Sequence, residues 1–193
     1  MNRVVIGIFV GGAGSRMGGV AKGLLSAPTS SETLLERLRR VCAEALPGAE
    51  LYLVGRAAAY TAFGLPMLAD DPGGIGPIGG LRALLLQAQS VGAERALALA
   101  CDLPFIDDAA LRTLGAPLRL AARVPFVDGC FQPLAAAYAP GPALAAVDRA
   151  LGRGKRALMS VLQELGSELE RVEADAISGA VLRDWDEPAD LAR

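Results

Sequence analysis

The apolar run VVIGIFV at residues 4–10 ends abruptly in GGAGSRMGGVAKG at 11–23, and no other feature constrains the fold as tightly. The run is short, rich in β-branched residues and closed by glycines, which suits a strand buried on both faces of a sheet. The stretch that follows carries six glycines in thirteen residues, and its only charges are Arg16 and Lys22. Such a segment has little to pack, and its glycines cost conformational entropy on folding. By itself it is compatible with an ordinary turn. The order of strand, Gly-Gly, Arg-Met-Gly-Gly and Lys favours a phosphate-binding loop, in which backbone N–H groups surround a polyphosphate while Arg16 and Lys22 offset its charge. The dinucleotide fingerprint fails because Met17 stands at the third glycine position. The Walker pattern fails because Gly23 follows Lys22.

The rest of the chain alternates in type. Thr29 and Glu32 have capping-box spacing ahead of Leu34, Leu35, Leu38, Val41, Cys42, Ala45 and Leu46, apolar at helical intervals until Pro47-Gly48. Strands are expected at 51–54, more weakly at 65–68, and at 95–100. Helices are expected near 81–91 and 107–114. This alternation predicts an α/β fold with a mostly parallel central sheet covered by helices on both sides, a three-layer Rossmann-like arrangement. Beyond residue 118 the pattern changes. Residues 118–127 and 130–138 read as two strands around the turn Asp128-Gly129, followed by helices near 142–151 and 155–165. No composition shift marks a second domain, so residues 1–193 are expected to form a single domain.

Histidine is absent from all 193 residues. That excludes Ser-His-Asp and Cys-His catalysis and His-ligated metals, leaving carboxylates, lysines, arginines or a metal to do any chemistry. The net charge of −2 provides no global field for nucleic acid. The three cysteines, Cys42, Cys101 and Cys130, are scattered and odd in number, which fits a reducing compartment better than a disulfide framework. No signal-peptide pattern opens the chain and no apolar stretch approaches the ~18–20 residues of a membrane span, so a cytoplasmic protein without membrane contact is expected.

Four further motifs carry polar chemistry. In ALACDLPF (98–105) an apolar strand ends in the single carboxylate Asp102. Strand ends of open α/β sheets form the ligand crevice, and one carboxylate suits Mg²⁺, which takes few protein ligands plus phosphate oxygens and water. Asp102 as the cap of the next turn is the plainer alternative. LADDPGGIGPIGGL (68–81) sets Asp70 and Asp71 before a Gly/Pro loop that leads into a helix, whose first N–H groups suit an anion or a base edge. In LRDWDEPADL (182–191) Asp184 and Asp186 alternate around Trp185 and face one way if extended, although either one could instead cap a helix opened by Pro188. FQPLAAAY (131–138) reads simply as a strand.

The order of these motifs resembles the molybdenum cofactor guanylyltransferase family, within the GT-A-like nucleotidyltransferases. The family's opening L-A-G-G-x-x-x-R-M-G-G-x-D-K-G-L is similar to FVGGAGSRMGGVAKGLL, its middle loop to ADDPGGIGPIGGL, its metal-bearing strand end to ACDLPF, its Q-P-L segment to FQPLAAAY, and its terminal motif to DWDEPADL. The likeness runs from about residue 4 to 191. It implies transfer of GMP from GTP to molybdenum-bearing molybdopterin, with release of pyrophosphate. It further implies that Gly11 and Gly12 meet the nucleotide through backbone, with Phe9, Val10, Gly14 and Gly76 lining the same site. Arg16 and Lys22 would lie on the phosphates, Asp70 or Asp71 near the nucleoside, and Asp102 on Mg²⁺. Asp186 or Asp184 would complete the metal site or face the pterin. Proteins that insert molybdenum and chaperones of molybdoenzymes are the partners such an enzyme would meet.

Three positions depart from the family pattern. Ala21 stands where an Asp often precedes the signature lysine, Val54-Gly55-Arg56 lacks the Asn often found after the second strand, and the terminal motif has Asp for Asn. A cytidylyltransferase of the same cofactor, or another NTP-dependent nucleotidyltransferase acting on a phosphorylated metabolite, therefore remains as the alternative. A dinucleotide-dependent oxidoreductase rests on the glycine loop alone, and a non-catalytic binding protein on the loss represented by Ala21.

Overall fold

The computed structural model describes residues 3–11, 21–28, 30–55, 58–173, 176–183 and 185. Its element order is β1 (Val4–Phe9), α1 (Leu34–Ala45), β2 (Glu50–Val54), β3 (Met67–Leu68), α2 (Pro77–Ser90), β4 (Arg95–Ala100), α3 (Asp108–Gly115), β5 (Ala122–Val127), β6 (Cys130–Phe131), β7 (Ala135–Tyr138), α4 (Pro140–Gly152), α5 (Leu158–Leu165) and β8 (Leu169–Val172). Short 3₁₀ helices lie at Lys22–Leu24, Ala58–Phe63, Gly166–Glu168 and Gly179–Leu182.

One sheet organises the chain, with strand order β3-β2-β1-β4-β7-β5-β6 and β8 paired to β5. β3, β2, β1 and β4 are mutually parallel, β7 runs against β4 and β5, and β8 runs parallel to β5. The sheet is therefore parallel in its first half and mixed in its second, where the hairpin and the returning strand enter.

β1 is buried at every position, as its apolar run requires. Alternate residues serve different layers: Val4, Ile6, Ile8 and Val10 pack with Leu35, Leu38 and Val41 of α1 and Leu111 and Leu114 of α3. Val5 and Phe9 pack with Leu81, Leu84 and Leu85 of α2, in the layer that α4 and α5 complete. Gly7 lies on this second face because Leu84 leaves no room for more: a Cβ there would sit 2.7 Å from Leu84 Cδ1.

The helix starts show how local signals were resolved. α1 is opened by Thr33 and Glu36, which form a complete capping box, not by Thr29 and Glu32. Glu32 instead hydrogen-bonds Arg40 and Ser30, and Thr29 lies outside the described residues. Pro77 occupies the first turn of α2, so this helix begins four residues earlier than its apolar periodicity implies. Asp107 caps α3 by accepting the Ala110 N–H at 2.8 Å. The second expected strand of the hairpin is broken after Phe131, where Gln132-Pro133 turns the chain before β7. Buried Arg123 ties the end of α3 to β5 by donating to the carbonyls of Thr113, Ala116 and Pro117.

Candidate functional site

The register of the parallel strands decides which motifs meet. Phe9 pairs with Val54 of β2 and Ala100 of β4, and Val54 pairs with Leu68 of β3. The residues following all four strands, Val10-Gly11, Gly55, Ala69-Asp70 and Cys101-Asp102, thus share one edge of the sheet. β5 runs the same way, which brings Asp128 and Gln132 of the hairpin to this edge as well. Brief backbone bonds lock the edge: Val10 N–H to Val54 O at 3.0 Å, Gly55 N–H to Leu68 O at 2.8 Å and Cys101 N–H to Phe9 O at 3.2 Å.

Lys22 and Asp102, 80 residues apart in sequence, are in direct contact here. The ammonium donates to Asp102 Oδ2 at 2.7 Å, and the two side chains are 18% and 15% exposed. Lys22 opens a tight turn in which Leu24 N–H reaches Ala21 O at 2.8 Å and Leu25 N–H reaches Lys22 O at 3.0 Å. Ala21 packs on the adjacent core where the family often has a carboxylate. The candidate pair is therefore assembled without that acid.

Asp70 and Asp71 are adjacent but separate in role. Asp71 is exposed and pairs with Arg82, which also holds Asp148 of α4 at 2.8 Å. Asp70 turns towards the first turn of α2, where its Cβ and Oδ1 lie close to Gly79 and Gly80, and burial pushes its carboxyl above the usual range. The loop is closed by Asp71 N–H donating to Gly79 O at 3.0 Å. Gly76 caps α2 with a φ of 81°, which a side chain would disfavour. Phe9 and Val10 are largely buried in the two core layers, so they support the edge from beneath. Gly11 is exposed at the edge itself.

The terminal motif approaches the same place through Trp185, whose backbone N–H donates to the Asp102 carbonyl at 3.1 Å. Its indole is buried against Ala27 and Leu34 and meets Phe105 edge-on at 6.3 Å between ring centres. Gly12, Gly14, Arg16, Asp184 and Asp186 lie outside the described residues.

Two residues of the edge escaped the sequence reading. Gly55 has a φ of 101°, and a Cβ there would lie 3.0 Å from the Gly11 backbone, so the close approach of the β1 and β2 ends requires glycine at position 55. A glycine directly after an apolar strand was the available signal. Tyr60, on the 3₁₀ helix after β2, accepts the Gly23 N–H at 3.0 Å, and nothing in AAAYTAF announces this. A cleft of about 390 Å³ opens beside the hairpin, lined by Val127, Asp128, Gln132, Ala180, Leu182 and Arg183. It places Gln132 in a concave surface at the hairpin, which its strand-like motif did not suggest.

Asp102 fits a Mg²⁺ ligand by donor type, a hard carboxylate oxygen at a partly accessible strand end. Among the described residues no group of three or more carboxylate or thiol side chains forms a protein cage. Also among the described residues, no helix is long and apolar enough to cross a membrane.

Comparison with known proteins agrees with this fold. Residues 6–172 match the family profile described as the MobA-like NTP transferase domain. A probable molybdenum cofactor guanylyltransferase of Opitutus terrae is 35% identical over 162 residues, covering 82% of this chain and 77% of that protein. A molybdenum cofactor guanylyltransferase of Ralstonia pickettii is 42% identical over 103 residues, a match spanning 51% of this chain and about half (47%) of its relative. In fold, the chain is similar to molybdopterin-guanine dinucleotide biosynthesis protein A of Archaeoglobus fulgidus, with a TM-score of 0.75 at 22% identity over 99% of this chain and 95% of that one. It is also similar to 2-C-methyl-D-erythritol 4-phosphate cytidylyltransferase of Thermus thermophilus, with a TM-score of 0.64 at 20% identity over 98% and 94% of the two chains.

Proposed function

The chain belongs to the MobA-like NTP transferase family, and from that premise we propose that it is a single-domain molybdenum cofactor guanylyltransferase, joining GMP from GTP to molybdenum-bearing molybdopterin. The observation that carries the mechanism is the Lys22–Asp102 contact just beyond the end of β4 in a chain without histidine. The acceptor is a terminal phosphate, already anionic at neutral pH, so no general base is required. Its oxygen attacks the α-phosphorus of GTP, a new P–O bond forms, and the bond to the pyrophosphate leaving group breaks.

The protein's task is then to hold two anions in line and to stabilise charge on the departing pyrophosphate. Gly11 and Gly12 would approach the nucleotide through backbone, and Arg16 and Lys22 would neutralise its phosphates. Asp102, with Asp186 as the second candidate, would hold Mg²⁺; when bound, that ion would spread charge across the phosphate oxygens. Asp70, sheltered against the first turn of α2, is better disposed towards the nucleoside than Asp71, which is engaged with Arg82. The cleft lined by Asp128, Gln132 and Arg183 is the candidate acceptor site. Three free thiols, two of them buried, support a cytoplasmic setting.

Base choice provides the test. Thermal-shift titrations with Mg²⁺ and each nucleoside triphosphate should show the largest stabilisation with GTP. A preference for CTP would overturn the guanylyl assignment and favour the cytidylyl alternative.

A further inference from the structure

Tyr60 is 2% exposed, yet it carries a hydroxyl into the core layer that covers one face of β1 and β4. A buried phenol without partners is costly, and phenylalanine would fill the same space. The surroundings of this hydroxyl explain its presence. It accepts the Gly23 N–H at 3.0 Å and lies beside the Cys101 thiol. Gly23 directly follows Lys22, and Cys101 directly precedes Asp102. The phenol thus joins the backbone beside the lysine to the residue beside the carboxylate. The fit is tight from the other side too: a Cβ on Gly23 would lie 2.9 Å from Tyr60 Cε1 and 3.2 Å from its hydroxyl oxygen. Lysine has a flexible four-carbon stem, so where its ammonium rests depends on how firmly its backbone is anchored.

We propose that Tyr60 is a positioning residue for nucleotidyl transfer, its hydroxyl holding the Lys22–Gly23 turn in register with Asp102 so that the ammonium is placed in advance for the triphosphate. This rests on the phosphate role given to Lys22 above. Tyr60 touches no substrate in this scheme, and its whole effect passes through Lys22.

The test is a double-mutant cycle of Tyr60→Phe and Lys22→Met, following pyrophosphate release from GTP in single turnovers with Mg²⁺, molybdenum-loaded molybdopterin as acceptor and enzyme in excess over GTP, with GTP affinity measured by calorimetry in parallel. Tyr60→Phe keeps the ring and should lower the transfer rate about tenfold. In the Lys22→Met background it should lower it no further, because the group it positions is gone. Gly23→Ala, which presses on the same contact from the opposite side, should reproduce the Tyr60→Phe effect and serves in its place if that variant folds poorly. A Tyr60→Phe rate equal to wild type overturns the inference, as does an equal fractional loss in both backgrounds, which is the mark of a merely structural hydroxyl. Undiminished transfer by Lys22→Met alone would instead remove the reading of Lys22, and this inference with it.

Discussion

Gly79→Ala should injure the protein although it adds one methyl group. Gly79 sits in the first turn of α2, beneath the 70–76 loop proposed to face the nucleoside. A Cβ there would lie 2.5 Å from the Pro72 carbonyl oxygen, 3.1 Å from Ile75 Cγ1 and 3.3 Å from Asp70 Cβ. The worst of these contacts is with backbone, which cannot swing aside as a flexible side chain can. Reaching an ordinary C···O separation of ~3.3 Å requires the loop to move by about 0.8 Å. Overpacking of this kind costs ~1–3 kcal/mol. Alanine's better helix propensity returns at most about 1 kcal/mol. At the middle of the overpacking range, ~2 kcal/mol, the net loss is about 1–2 kcal/mol, or a fall in Tm of roughly 2–8 °C for a chain of this size. Calorimetry would measure this, with Gly152→Ala as the control. Gly152, at the end of α4, has nothing within 4 Å of its virtual Cβ and should tolerate alanine. Because Asp70 belongs to the displaced loop, GTP binding should also weaken in Gly79→Ala. A variant melting at or above wild type with unchanged affinity would refute the packing argument.

Two more outcomes follow from the site and its surroundings. Lys22→Met should slow transfer by about 10²–10³-fold, the usual consequence of removing one charge-assisted donor from a transition state, while circular dichroism shows the fold retained; near-normal turnover would remove the phosphate role of the loop. Alkaline conditions should destabilise the protein, since burial pushes the Cys42 and Cys101 thiols and the Tyr60 phenol up to about 12. Unfolded thiols lose their protons near pH 8.5 and phenols near 10, so the unfolded state binds fewer protons in between and ΔG of unfolding falls as pH rises. This stability is fully present below about pH 8.5 and lost towards pH 12. Urea titrations should show the fall, and a flat profile would contradict the burial.

The strand and helix pattern was legible because burial imposes its period on long apolar segments: β1, β4 and α1 lie within a residue of where their spacing puts them. β8 was not legible, since Leu169–Val172 is a four-residue strand with two charged residues and its pairing to β5 is made over 47 residues of sequence. The capping box slipped from Thr29 to Thr33 because both positions have an acidic residue three places on, and only the packed helix decides between them. At the site, Lys22 and Asp102 each stood out as motif residues, but their contact spans 80 residues of sequence and exists only in the folded chain. Asp70 and Asp71 could not be told apart in sequence, because their difference lies in which neighbour each side chain faces. Tyr60 was invisible for the same reason: the Gly23 N–H that it accepts lies 37 residues away in sequence.

Incubation of the protein with GTP, Mg²⁺ and molybdenum-loaded molybdopterin tests the central claim most directly. The account predicts molybdopterin guanine dinucleotide and pyrophosphate in equal amounts, with neither formed when Asp102→Ala replaces the wild type. Dinucleotide formation from CTP but not GTP would contradict the guanylyl assignment, and undiminished product from Asp102→Ala would contradict the site.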